Sequence, residues 1–270
     1  MRFLIVARID ESSALACAKA IYRLLADSGH QVVCDEETAA GTGLSGATIQ
    51  DADAQVAVVV GGDGTILLAV QRMKVQIPVL AINWGEVGFL AGLEPAEAVP
   101  FLKRMKEGFP VEERMRISLS QDGVYVGDAL NEALIVTARP TKMLRFVVSI
   151  DGVQAEQFRA DGLLISTPTG STAYAMSAGG PIVDPRLTGV LLVPLAPYLL
   201  SARPQLIGAD RTIEVRLTGG KPATMVIDGQ TSVEIEGSGI IGVKVSPEPA
   251  RFVDTGKNFF SRVNEKLRSL

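Results

Sequence analysis

The stretch AVVVGGDGTILLA, residues 57–69, decides how the first part of the chain is read. A run of β-branched apolar residues drives into Gly61-Gly62-Asp63-Gly64-Thr65, and a second apolar segment follows. A buried strand, a glycine turn and a helix start fit that order. The first turn of a helix leaves N–H groups unpaired at the positive end of its dipole, and glycines let an anion approach them. The loop therefore has the features of a phosphate-binding turn. It carries neither the Lys-Ser/Thr of a Walker loop nor the GxGxxG dinucleotide fingerprint. Asp63 would repel phosphate unless a cation or a hydroxyl proton lay between them. Three roles fit it: holding Mg²⁺ through water, accepting the proton of an attacking hydroxyl, or capping the helix.

Working outward, FLIVA (3–7), QVVC (31–34), VAVVV (56–60) and IPVLAIN (77–83) read as strands. Helical spacing lies between them at 12–29, with Ser12 or Ser13 as N-cap and Leu15, Ile21, Leu24 and Leu25 on its apolar face. A further helix is expected over 94–109, with Pro100 kinking it or delaying its start. Strands alternating with helices predict an α/β N-terminal domain with a parallel sheet. After Glu112 polar and apolar residues alternate, and Asp-Gly pairs at 122–123 and 151–152 supply hairpin turns, so a β-rich C-terminal domain is expected. NFFSRVNEKLRSL reads as a closing helix with Phe260, Val263 and Leu267 on one face. The expected organisation is 1–112, completed by the helix 256–270, and 113–255.

A net charge of −4 without a long basic run argues against broad nucleic-acid binding, so a polyanionic ligand must be held by local groups. Cys17 and Cys34 form no CxxC pair, which disfavours structural zinc and suits reduced thiols. His30 is the single histidine, expected to open a strand, and that argues against histidine-based hydrolases and imidazole-rich metal sites. Carboxylates are left for acid–base work, and no residue is assigned as a metal ligand. No segment approaches the ~18 apolar residues of a membrane span. A cytoplasmic protein, without nucleic-acid or membrane partners, is expected.

Two more segments carry chemistry. DGLLISTPTGSTAYAMSAGGPIVDP (161–185) joins an apolar strand to a turn dense in hydroxyls, and TAYAMSAGG within it begins a short helix. ALNEALIV (129–136) sets Asn131 and Glu132 at a strand entrance, where an amide and a carboxylate suit base edges and ribose hydroxyls, or are merely solvated.

Laid in order, GGDGT (61–65), VGFL (87–90), ALNE (129–132), DGLLISTPTGSTAYAMSAGGPIV (161–183), LSARP (200–204) and IDGQ (227–230) resemble the NAD kinase family over most of the chain. The resemblance implies an α/β domain and a β-rich domain, with NAD bound in a crevice between them. It implies ATP-dependent phosphorylation of the adenosine ribose 2′-hydroxyl to give NADP, a divalent metal such as Mg²⁺, and a homodimer or homotetramer. By position, Asp63 matches the proton acceptor, with Gly62 and Gly64 against the nucleotide, and Phe89 flanks the adenine. Asn131 and Glu132 match contacts to the adenosine half. Thr172, Ala173, Tyr174, Ala175, Met176 and Ser177 match a segment lining the dinucleotide. Asp161, Ala196 and Gln230 match further NAD contacts, some from a neighbouring subunit, and Arg159 matches a basic one. The chain departs from the family pattern at Trp84, Glu86, Ala160 and Tyr198. Lipid and sugar kinases share the GGDGT loop and are the alternative enzyme class; a nucleotide-sensing module is the non-enzyme one. Neither accounts for the Asn-Glu pair together with STPTGSTAY.

Overall fold

The computed structural model describes residues 1–85, 88–105, 108–139, 142–199 and 201–269. Of the quoted motifs, Glu86, Val87 and Leu200 lie outside the described residues. The chain divides into two compact units, Met1–Glu113 with Ala250–Leu270, and Arg114–Pro249.

The first unit is built on a seven-stranded sheet in the order Gly46–Ala47, Gln31–Asp35, Arg2–Ala7, Val56–Gly61, Val79–Asn83, Ala250–Val253, Val111–Arg114. Arg2–Ala7 runs parallel to both of its neighbours, as does Val56–Gly61. Every residue of Val56–Gly61 is buried, which explains its unbroken apolar run. The strand order turns back between Arg2–Ala7 and Val56–Gly61, so the carboxyl end that leads into Gly62 and Asp63 lies at the sheet's switch point.

Helix Ser12–Asp27 buries Ala14, Ala18, Ile21 and Leu25. Its cap is neither Ser12 nor Ser13. Glu11 holds the extended cap position, and its carboxylate accepts from the Ser13 N–H at 3.3 Å and the Ser13 hydroxyl at 2.7 Å. Gln31–Asp35 follows with His30 just outside it, the imidazole 3.3 Å from the terminal amine. Pro100 does not delay the start of the helix: Pro95–Arg104 runs through it. Pro95 starts the helix where no N–H is needed, Glu97 accepts from the Glu94 N–H at 2.7 Å, and Ala98 and Leu102 are buried beneath it. The closing helix Phe259–Ser269 buries Val263, whereas Phe260 is 54% exposed and Leu267 is 41% exposed, so the three do not form one buried face. Phe260 meets Phe259 edge to face instead. Strand Ala250–Val253, which the sequence boundary left with the β-rich part, pairs with Val79–Asn83 in the first sheet.

The second unit holds two six-stranded antiparallel sheets. One runs Val153–Ala160, Leu144–Ile150, Ile213–Thr218, Ile240–Val245, Ile117–Gln121, Val124–Ala129. The other runs Gln205–Gly208, Gly189–Leu195, Gly162–Ser166, Glu132–Thr137, Ala223–Ile227, Thr231–Ile235. Phe146, Ile117 and Val215 from the first join Ile135, Leu163 and Met225 from the second in one core cluster. The hairpin turns form where the Asp-Gly pairs lie: Asp122 and Asp151 both have φ of 51° and each precedes a positive-φ glycine.

Phe146 is fully buried and stacks on Phe158 at 5.3 Å between ring centroids. Phe146→Ala is expected to lower unfolding stability by about 3–5 kcal/mol, read by chemical denaturation.

Candidate functional site

The glycine loop does three separate things. A side chain on Gly61 would overlap Thr65, so that glycine serves internal packing. Gly62 is the helix cap residue and supplies no side-chain cap. Gly64 is exposed with nothing near its missing Cβ, so the space over it is open to a ligand. Asp63 opens helix Asp63–Arg72, yet its carboxylate does not cap that helix. One oxygen accepts the Phe89 N–H at 3.0 Å and the other the Leu90 N–H at 3.1 Å. Burial raises its pKa, opposed by those two N–H groups and by the charges of Lys266 and Arg262 from the closing helix. Asp63 is thus fixed in direction while remaining a candidate proton acceptor.

The loop that meets Asp63 depends on Gly88. It has φ of 69°, and a side chain there would overlap Asn83. Phe89 is thereby brought beside Asp63, with its ring half-buried. Trp84, one of the departures from the family pattern, donates its indole N–H to the Ser13 hydroxyl at 2.8 Å and so ties the start of this loop to helix Ser12–Asp27.

In the second unit Asn131 and Glu132 occupy a turn held from both sides. The Asn131 carbonyl accepts from the Thr167 N–H at 2.8 Å and the Ser166 hydroxyl at 3.1 Å, while the Thr167 hydroxyl donates to the Leu130 carbonyl at 2.5 Å. On the other side the Asp228 carboxylate accepts the N–H groups of Leu130, Asn131 and Glu132 at 2.7, 2.8 and 3.0 Å. With its backbone fully used, the turn offers its side chains. Oδ1 of Asn131 and Oε2 of Glu132 are buried without a hydrogen-bond partner. Two orphaned polar oxygens call for a ligand that brings hydrogen-bonding groups of its own. Burial, with Asp228 adding to it, pushes the Glu132 carboxyl up to about 8.

The hydroxyl-rich segment splits between packing and exposure. Thr169–Thr172 forms a 3₁₀ turn, and a side chain on Gly170 would overlap the Asn131 carbonyl, so this turn is built against the Asn-Glu corner. The expected short helix is a single turn, Tyr174–Ser177. Thr172 and Ala175 are buried, Ala173 and Met176 half-buried, and Tyr174 and Ser177 exposed. Arg159 lies 4.2 Å from the centre of the Tyr198 ring, and both border a cavity of about 640 Å³ with Arg145, Phe158 and Leu199. Ala196, exposed with φ of 44°, follows strand Gly189–Leu195. Asp161 pairs through its backbone with Thr137 and Leu195. Gln230 is exposed on the hairpin turn that begins at Asp228. Sequence reasoning assigned nothing to Asp228, although the Asp-Gly pair at 228–229 signals a turn there.

Residues 3–108 match the family model for the ATP-NAD kinase N-terminal domain, and residues 130–255 match that for the ATP-NAD kinase C-terminal domain. An NAD kinase of Methanoculleus marisnigri is 58% identical over 270 residues, covering 100% of both chains. The crystal structure of an NAD kinase from Archaeoglobus fulgidus in complex with ATP is similar at a TM-score of 0.84 and 32% identity, over 100% of both chains. Yeast NADH kinase, crystallised with NADH, shares the fold at a TM-score of 0.92 and 23% identity, over 99% of this chain and 87% of that one. Fold and matches define the class, a phosphotransferase. Identity sustained over the full length then fixes the family: the chain belongs to the NAD kinase family.

Glu132 carries a stability signature. Its carboxyl ionises near the ordinary 4.5 when unfolded and at about 8 when folded, so the folded state holds the proton more tightly. That contribution is complete below the ordinary value and is lost as pH rises through the folded one. Glu132→Gln does not titrate, so its melting temperature should gain on the wild type between about pH 5 and pH 9 by roughly 5 °C or more. Thermal unfolding across that range checks it, and a constant difference would contradict it.

Proposed function

We propose that this chain transfers the γ-phosphoryl group of ATP to the 2′-hydroxyl of the adenosine ribose of NAD, giving NADP and ADP. The observation that carries the reading is Asp63, held by two backbone N–H groups next to the open space over Gly64. Phosphoryl transfer passes through a loose transition state, so positioning and charge neutralisation dominate. Asp63 orients the 2′-hydroxyl; as its oxygen bonds to the γ-phosphorus and the β–γ bridge breaks, the hydroxyl proton passes to Asp63. Burial raises the Asp63 carboxyl, which makes it a better acceptor than an exposed one.

Gly62 and Gly64 let phosphate approach the helix start, and Phe89 flanks the adenine. Asn131 and Glu132 take donors of the adenosine half, a role supported by their orphaned oxygens. Thr172 to Ser177, Asp161, Ala196 and Gln230 complete the dinucleotide contacts, and Arg159 adds a positive charge. In this reading the part over 1–112 with the closing helix carries the acceptor loop, and the β-rich part carries most NAD contacts. A divalent cation accompanies ATP; among the described residues there is no group of three or more His, Cys, Asp or Glu that could hold a metal ion. The chain acts as a symmetric homodimer or homotetramer in the cytoplasm, a setting supported by its two free cysteines. Among the described residues no helix is long and apolar enough to cross a membrane.

Asp63→Asn should keep NAD affinity while lowering kcat by ~10²-fold or more, as acid–base groups usually do. NADP formation and calorimetric titration read the two quantities. Full turnover in the variant would remove Asp63 from the mechanism, and labelled ATP appearing in lipid or sugar but not in NADP would replace the reading altogether.

A further inference from the structure

The hairpin turn at Asp228-Gly229 has the same backbone signature as the turns at Asp122 and Asp151, with φ of 48° on the aspartate and 65° on the glycine. In all three the carboxylate accepts N–H groups from a neighbouring segment: Asp122 that of Ile240 at 2.9 Å, and Asp151 that of Thr212 at 3.0 Å. Those two bonds are exposed at the surface, and each carboxylate secures one backbone N–H, with Asp151 accepting from the Arg211 guanidinium besides. Asp228 differs on both counts. It is 3% exposed and collects three successive N–H groups, all from the turn that carries Asn131 and Glu132. Its own N–H closes the arrangement by donating to the Glu132 carbonyl at 2.9 Å.

We infer that Asp228 is a positioning residue for the nucleotide site: buried beneath the Leu130–Glu132 turn, it locks that turn so that Asn131 and Glu132 face the ligand. The inference rests on the assignment of Asn131 and Glu132 to the nucleotide under the function proposed above. An ionised carboxylate is acceptor-only and suits a turn that presents donors alone. A neutral side chain could hold part of that hydrogen bonding but not the field. Ser166, opposite Glu132 in strand Gly162–Ser166, brings a neutral hydroxyl. Asp228 is the charge that bears on Glu132, acting in the same direction as burial. Burial and Asp228 both favour the neutral carboxyl of Glu132, which can donate one hydrogen bond as well as accept.

Asp228→Asn keeps the size and one acceptor oxygen while removing the charge. The Glu132 carboxyl can be followed by ¹³C NMR of glutamate-labelled protein, with Glu132→Gln assigning its signal. In the wild type its midpoint should lie near 8. In Asp228→Asn the midpoint should fall by about one pH unit or more, and KM for NAD should rise about tenfold, beyond any fall in kcat. The pH dependence of KM should move with the midpoint and vanish in Glu132→Gln and in the double variant. An unmoved midpoint in folded Asp228→Asn, or KM and kcat falling off together independently of pH, would overturn the inference. So would a wild-type midpoint in the ordinary glutamate range, a result that does not depend on the variant folding. Wild-type protein with the shifted midpoint but no NADP formation would support the Asp228–Glu132 coupling and overturn the proposed reaction instead.

Discussion

Strand Val56–Gly61 has a parallel neighbour on each side and is buried along its whole length, so its backbone has nowhere to finish except at the carboxyl edge of the sheet. There the polypeptide must turn into a helix within two residues, and the helix start presents N–H groups that nothing in the strand can satisfy. Every feature of the glycine loop follows from that constraint. Gly61 lets Thr65 pack against the strand end, Gly62 takes the extended cap position, and Gly64 leaves the approach open. Asp63 is the residue whose side chain must go elsewhere, and it reaches the N–H groups of Phe89 and Leu90. A carboxylate tied to a second loop cannot swing to cap its own helix, which is why the capping role weighed for it is not the one it has.

The second unit reaches a similar result by a different route. Its turns are Asp-Gly pairs because two successive residues with positive φ are costly for other side chains. Once an aspartate occupies such a turn, its short carboxylate lies within reach of the adjacent strand's N–H groups, and the turn becomes a clamp at no further backbone cost. At Asp122 and Asp151 the clamp is exposed and ties the turn to the start of the strand beside it. At Asp228 it is buried behind the Asn-Glu corner, where Thr167 and Ser166 hold the same corner through its carbonyls.

Much of this was legible in the sequence because the signals were local. Apolar runs marked the parallel strands, polar–apolar alternation marked the antiparallel ones, and Asp-Gly fixed the turns. The failures share a cause, which is competition decided at a distance. Ser12 and Ser13 looked like better caps than Glu11, but the backbone enters the helix one residue earlier and a glutamate can serve both donors. Strand Ala250–Val253 is too short to declare itself and exists because Val79–Asn83 offers it an edge. Phe260 and Leu267 follow helical spacing, yet only Val263 reaches the core, since spacing reports a helix face and not whether anything covers it. At the site, Asp63 and the Asn-Glu pair were visible as residue types. The inward direction of Asp228 was not, because its Asp-Gly pair reads like those that face solvent.

Asp63 and Glu132 are both carboxyls whose pKa burial raises, but they are satisfied differently, and that difference fits the separate roles proposed for them. Both oxygens of Asp63 already accept N–H groups, and two cations draw its pKa down, so its charged form retains support. Glu132 has an oxygen with no donor and a negative neighbour in place of positive ones, so its neutral form is favoured. A base must be able to exist as an anion before the reaction, whereas a recognition group gains by offering a donor and an acceptor to a ligand that presents both. Had the environments been exchanged, a neutral acid at the glycine loop would have no capacity for a proton, and a bare anion at the Asn-Glu corner could accept from a ribose hydroxyl but never donate. In the proposed reaction, local hydrogen bonding, more than the identity of the residue, separates the group assigned the proton from the one assigned the nucleotide.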